Sequence, residues 1–129
     1  MYSKVTHDVK ISVIPEFLTD KSVPHSRYFV WAYHVQIENL RADTVQLIGR
    51  YWQITDARGL QQEVHGEGVV GEQPTLHPGE MFEYTSGTPL HTPSGIMLGR
   101  YEMQTEQGQR FEVDIPAFSL DSQKPALVH

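Results

Sequence analysis

The sequence predicts an all-β fold, an antiparallel β-sandwich of about seven to eight strands. Three observations predict it. Apolar and polar residues alternate with a period of two along most of the chain, the pattern of strands that bury one face. Proline- and glycine-rich turn signals recur about every ten residues, the spacing of short sandwich strands. Nowhere do apolar residues repeat at helical spacing for as long as about three turns.

Val5, His7, Val9, Ile11 and Val13 alternate with Thr6, Asp8, Lys10 and Ser12, which predicts a single strand over 5–13. Phe29, Trp31, Tyr33, Val35 and Ile37 form a second row, opposite the polar His34, Gln36 and Glu38. A third strand spans 45–55, and its phase shifts near Gly49 as a bulge would shift it. A turn at 56–59 leads into a strand over 60–65, and after a glycine-rich loop another strand covers 81–86. Residues 87–95 read as loop. The segments 96–105 and 110–118 flank Glu106–Gln109 as a hairpin, and a loose tail begins at about Asp121. Phe29, Val35, Ile37, Trp52, Ile54, Tyr101, Met103, Val113 and Ile115 are the expected core, with Trp31 or Trp52 filling the space between sheets.

At 129 residues the chain is one domain's worth of sequence, 1–129, and a domain of that size buries roughly two-thirds of its unfolded surface. There is no cysteine, which rules out disulfides, thiolate metal sites and cysteine nucleophiles. The N-terminus lacks a signal-peptide core, and no stretch approaches the ~20 apolar residues of a membrane span. A soluble, cytoplasmic protein without membrane insertion is expected. The net charge of −6 argues against a nucleic-acid partner. Its distribution is uneven: no Lys or Arg lies between Arg58 and Arg100, whereas Glu63, Glu67, Glu72, Glu80 and Glu83 do.

Within that acidic stretch, Gly66, Gly68 and Gly71 reproduce the G-x-G-x-x-G spacing of dinucleotide-binding loops. That motif works by setting a helix N-terminus against a pyrophosphate. Here Pro74 and Pro78 follow, no βαβ unit surrounds the loop, no acid stands about twenty residues on, and no lysine is near. The sequence therefore offers no nucleotide cofactor site. The glycines instead fit a tight connection needing positive φ or close packing, with Val69 and Val70 pointing one inward and one outward. Gly66, Glu67, Gly68, Val69, Val70 and Gly71, with their acidic flank, form the candidate contact face for a protein partner.

No catalytic residues emerge. There is no G-x-S-x-G, and Ser86–Gly87 and Ser94–Gly95 read as turn chemistry. No H-x-H or H-E-x-x-H clamp exists among the seven histidines. His65, His77 and His91, interleaved with Glu67, Glu72 and Glu80, leave a weak divalent-cation site as the alternative to a non-catalytic interaction module. A weak homodimer through the 5–13 edge, guarded only by Asp8 and Lys10, or through an exposed sheet face, is also expected.

The stretches YFVWAYHVQIEN (28–39), VQLIGRYWQITDARG (45–59), VHGEGVVGEQPTLHPGEMFEYTSG (64–87), SGIMLGRYEM (94–103) and IPAFSL (115–120) together resemble the ApaG family, over essentially the whole chain to about Leu120. The resemblance implies an immunoglobulin/fibronectin type III-like sandwich and a bacterial protein of a family without an established biochemical activity. It also implies a link to cobalt resistance and magnesium efflux, which a chain without a membrane span serves only indirectly. Related domains in eukaryotic F-box proteins and a polymerase-associated protein imply a protein-interaction role, with the partner unidentified.

Overall fold

The computed structural model describes residues 1–123. Nine strands form two antiparallel sheets: β1 (Tyr2–Thr6), β2 (Val9–Phe17), β3 (Phe29–Asn39), β4 (Val45–Asp56), β5 (Gln61–Glu67), β6 (Thr75–Leu76), β7 (Met81–Leu90), β8 (Ser94–Thr105) and β9 (Arg110–Asp121). One sheet has the order β1-β2-β3-β7; the other has the order β5-β4-β8-β9, with the two-residue β6 paired to β4. The only helical segments among the described residues are 3-10 turns at Thr19–Lys21 and Pro24–Ser26.

The period-two rows become the inner faces of the two sheets, because alternate side chains of a strand point to opposite sides. All nine expected core residues are buried, and so are both tryptophans. Tyr33 of β3 packs edge-on to Trp52 of β4 at 5.2 Å, and Phe118 of β9 meets both rings, at 6.1 and 5.9 Å. These rings join the sheets across the core. The bulge expected near Gly49 is present as a register shift between Leu47 and Gly49 on β4.

Four expectations need correction. Residues 5–13 are not one strand: they form a hairpin in which His7 and Asp8 take φ of 49° and 61°, the paired positive values of a two-residue turn whose twist matches its strands. Polar alternation continued through the turn and hid it. Residues 87–90 and 94–95 are not loop: β7 stays paired with β3 as far as Leu90, and β8 begins at Ser94. Pro89 is tolerated there because β7 is an edge strand, where a missing N–H need not break a ladder. The divided hairpin and the short β6 bring the total to nine strands rather than seven to eight. Asp121 ends β9 instead of opening the tail, and the tail beyond residue 123 lies outside the described residues.

The two long sides of the sandwich differ. On one, β1 lies along β9: the Tyr2 and Ser119 hydroxyls are 2.9 Å apart, Lys4 Nζ pairs with Asp114 at 3.1 Å, and the Asp114 N–H donates to Thr6 Oγ1 at 3.2 Å. The β1 part of the 5–13 segment ends its sheet, as expected of an edge, but it lies against β9. On the other side, β5 and β7 each end a sheet.

Candidate partner-binding face

The glycine-rich loop grows out of β4. Because Ile48 is the residue skipped in the bulge, its carbonyl is spare, and it accepts the Gly68 N–H at 2.8 Å and Gln73 Nε2 at 2.9 Å. Farther along, the Leu47 N–H reaches the Pro74 carbonyl at 3.0 Å, and Gln46 Nε2 reaches that of Gln73 at 3.1 Å. β5 arrives alongside Gly49 and β6 departs alongside Gln46. The loop between them stands out as a short arm with both feet bonded to one strand.

Arg50 braces that arm. Its Nη1 donates to the carbonyls of Glu67 at 3.0 Å and Gly68 at 2.9 Å. Gly66, still within β5, leaves room for the guanidinium, since a Cβ there would come 2.6 Å from it. Gly68 is buried at φ +61°, and a Cβ would meet the Glu72 carbonyl oxygen at 2.2 Å. At the tip, Val69 and Glu72 exchange both N–H···O bonds at 2.8 Å, with Val70 at φ 42° and Gly71 at φ 81° between them. This is again the two-residue turn with positive φ at both centres.

Val69 is 1% exposed and joins the core, while Val70 is 53% exposed. The valines do point one in and one out, though the turn separates them rather than extended backbone. A β-branched side chain at positive φ is a steric outlier, costing about 1–3 kcal/mol unless its surroundings enforce it. The amides of Gly68, Val69 and Glu72 are all spent on main-chain carbonyls, so they are not free to cradle a phosphate.

Sequence order concealed the cations nearby. Arg50 enters from β4, and Arg100 enters from β8 to lie over the Tyr51 ring at 4.2 Å, where it also bonds Glu112 at 3.2 Å. Tyr51 donates its hydroxyl to Glu63 at 2.7 Å and stacks against His65 at 4.8 Å. That hydrogen bond to Glu63 holds the Tyr51 phenol above its ordinary pKa. Cross-strand register alone brings these residues together, and nothing local in the sequence signals it.

The histidines go separate ways. His65 joins Tyr51, the Nδ1 of His77 bonds Thr44 at 3.1 Å, and the Nδ1 of His91 faces the Arg27 carbonyl at 3.2 Å. Among the described residues no three His, Asp or Glu side chains stand close enough to hold a metal ion. No described helix is long and apolar enough to cross a membrane.

Comparison with known proteins agrees with the architecture. A family model described as the ApaG domain matches residues 19–105. The chain is 64% identical over 122 residues to Protein ApaG of Parvibaculum lavamentivorans, covering 95% of this chain and 94% of that one. It is 59% identical over 129 residues to Protein ApaG of Paramagnetospirillum magneticum, covering 98% and 99%. A crystal structure assigned as the ApaA protein of Bordetella pertussis superposes with a TM-score of 0.89 at 46% identity, covering 93% of this chain and 98% of that one.

Proposed function

The chain belongs to the ApaG domain family, and from that premise we propose that it is a non-catalytic, cytosolic protein-interaction module whose contact face is the Gly66–Gly71 arm. The observation that carries this reading is Val70. It is an exposed apolar side chain held in a sterically disfavoured conformation on a turn whose feet are bonded to β4 and whose carbonyls are braced by Arg50. Backbone strain of this kind concentrates at contact and ligand-clamping sites, and a rigid apolar tip presented without ordering cost suits association. The link to cobalt resistance and magnesium efflux that the family resemblance implies would then run through the partner.

Replacing each valine by aspartate tests the reading. Val69→Asp should unfold the protein, because it buries an unpaired carboxylate. Val70→Asp should keep the protein folded and melting no lower than the wild type, since aspartate also tolerates positive φ. It should nonetheless abolish capture of the partner from bacterial lysate, since a charge in a desolvated contact has nothing to pair with. If both variants fold and retain every wild-type partner, the arm is only a connection.

A further inference from the structure

We propose that the free edge of β5 accepts an extended, lysine- or arginine-bearing segment of the partner as an added strand. This rests on reading the chain as an interaction module, and it says where and by what chemistry the partner is held.

The β4–β5 ladder is fixed at both ends: Asp56 donates its N–H to the Leu60 carbonyl at 3.0 Å, and Gly68 donates to that of Ile48 at 2.8 Å. Directly opposed antiparallel residues alternate between bonded and non-bonded pairs. With 56/60 and 48/68 bonded, the register assigns Gln62, Val64 and Gly66 to bonding with β4. Gln61, Glu63, His65 and Glu67 therefore turn their N–H and C=O groups to the free edge. Of these, the Glu67 carbonyl is taken by Arg50 Nη1, which stiffens that end of the template.

Natural edges are guarded against pairing by proline, lysine, bulges or cover. β1 carries Lys4 and lies against β9, to which its side chains bond, and β7 carries Pro89. β5 is seven residues long, mostly exposed, and has neither proline nor lysine, and no register shift interrupts its pairing with β4. It is the least guarded edge of the sandwich.

The side chains beside it select what can add. Glu63 and Glu67 share the outer face of β5 with His65, four residues apart from each other, about 13 Å along a strand. The nearby cations are engaged elsewhere, Arg50 on loop carbonyls and Arg100 on Glu112. A second copy of β5 would bring another pair of glutamates to the same face, in a chain of net charge −6. A strand with basic residues at alternate positions places its cations across from both glutamates, while its main chain completes the ladder.

The experiment titrates the full-length protein with a labelled peptide of alternating lysine and threonine, about nine residues long. A glutamate–threonine peptide serves as control. Anisotropy reads affinity, and hydrogen exchange reads the amides of Gln61, Glu63 and His65. The lysine peptide should bind saturably, slow exchange at those three amides, and weaken with salt. His65→Pro removes an outward N–H that β4 does not use, and it should abolish the protection. Glu63→Gln with Glu67→Gln, which leaves the backbone intact, should lower affinity about tenfold. Equal binding of the acidic peptide, unchanged affinity in the glutamine variant, or protection mapping to β7 instead would overturn the proposal. If the lysine peptide leaves β5 unprotected while lysate capture still depends on Val70, this inference falls and the interaction module stands. If the peptide protects β5 while capture ignores Val70, β5 stands as the binding element and the arm does not.

Discussion

At residue scale, two positions at positive φ in the arm, Gly68 and Val70, carry opposite expectations. Gly68 cannot accept a side chain: its φ of +61° and the Glu72 carbonyl 2.2 Å from any added Cβ together forbid one. Val70 has a side chain where φ of 42° disfavours one. Val70→Asn should therefore stabilise the fold by about 1 kcal/mol, since asparagine tolerates the left-handed region. Gly68→Ala should cost more than about 1 kcal/mol. Denaturant melts of the two variants check both signs. A loss of stability in Val70→Asn would mean that the valine's packing outweighs its strain. The glycines were legible as a tight connection needing positive φ or close packing, but which glycine meets which need was not: Gly66 makes way for an arginine from another strand, while Gly68 and Gly71 take positive φ. Spacing along the chain encodes neither distinction.

At element scale, strand character was readable wherever one face is buried, because alternation there is enforced by the core. It failed where a tight turn used ordinary residues. Asn–Gly at positions 7 and 8 would have announced the β1–β2 hairpin; His7 and Asp8 did not. Asp8→Gly should thus relieve the turn and raise stability by about 0.5 kcal/mol, measured as a shift in urea midpoint at unchanged m-value. Conversely, Pro89 and the Gly87–Thr88 pair argued for loop, and they were outweighed by pairing of β7 with β3 up to Leu90. The Gly49 bulge was visible because it reverses the inside–outside phase of β4, a change that a period of two exposes at once.

At the scale of the whole molecule, a core read from alternation turned out to hold a polar element as well. The Tyr84 and Tyr101 hydroxyls are bonded to each other deep between the sheets, and Tyr33 stands opposite Ser86 across β3 and β7. Burial is the main cause that raises all three phenols above their ordinary value. Unfolded tyrosines titrate near pH 10. The folded protein holds these protons more tightly, so this stability is complete below about pH 10 and is lost as pH rises through the folded values. Melting temperature should fall steeply above about pH 10, and Tyr33→Phe should lessen the slope. The candidate face was legible only as a composition, acidic and glycine-rich; its rigidity and its free backbone edge depend on register. One further consequence follows from the way β1 is fastened along β9. The Tyr2–Ser119 contact joins residues 117 apart in sequence, so closing that side must wait until Ser119 has been synthesised. Contacts so distant in sequence are slow to close. The β1–β2 hairpin thus leaves the ribosome well before the strand it docks against, and that side of the sandwich closes late.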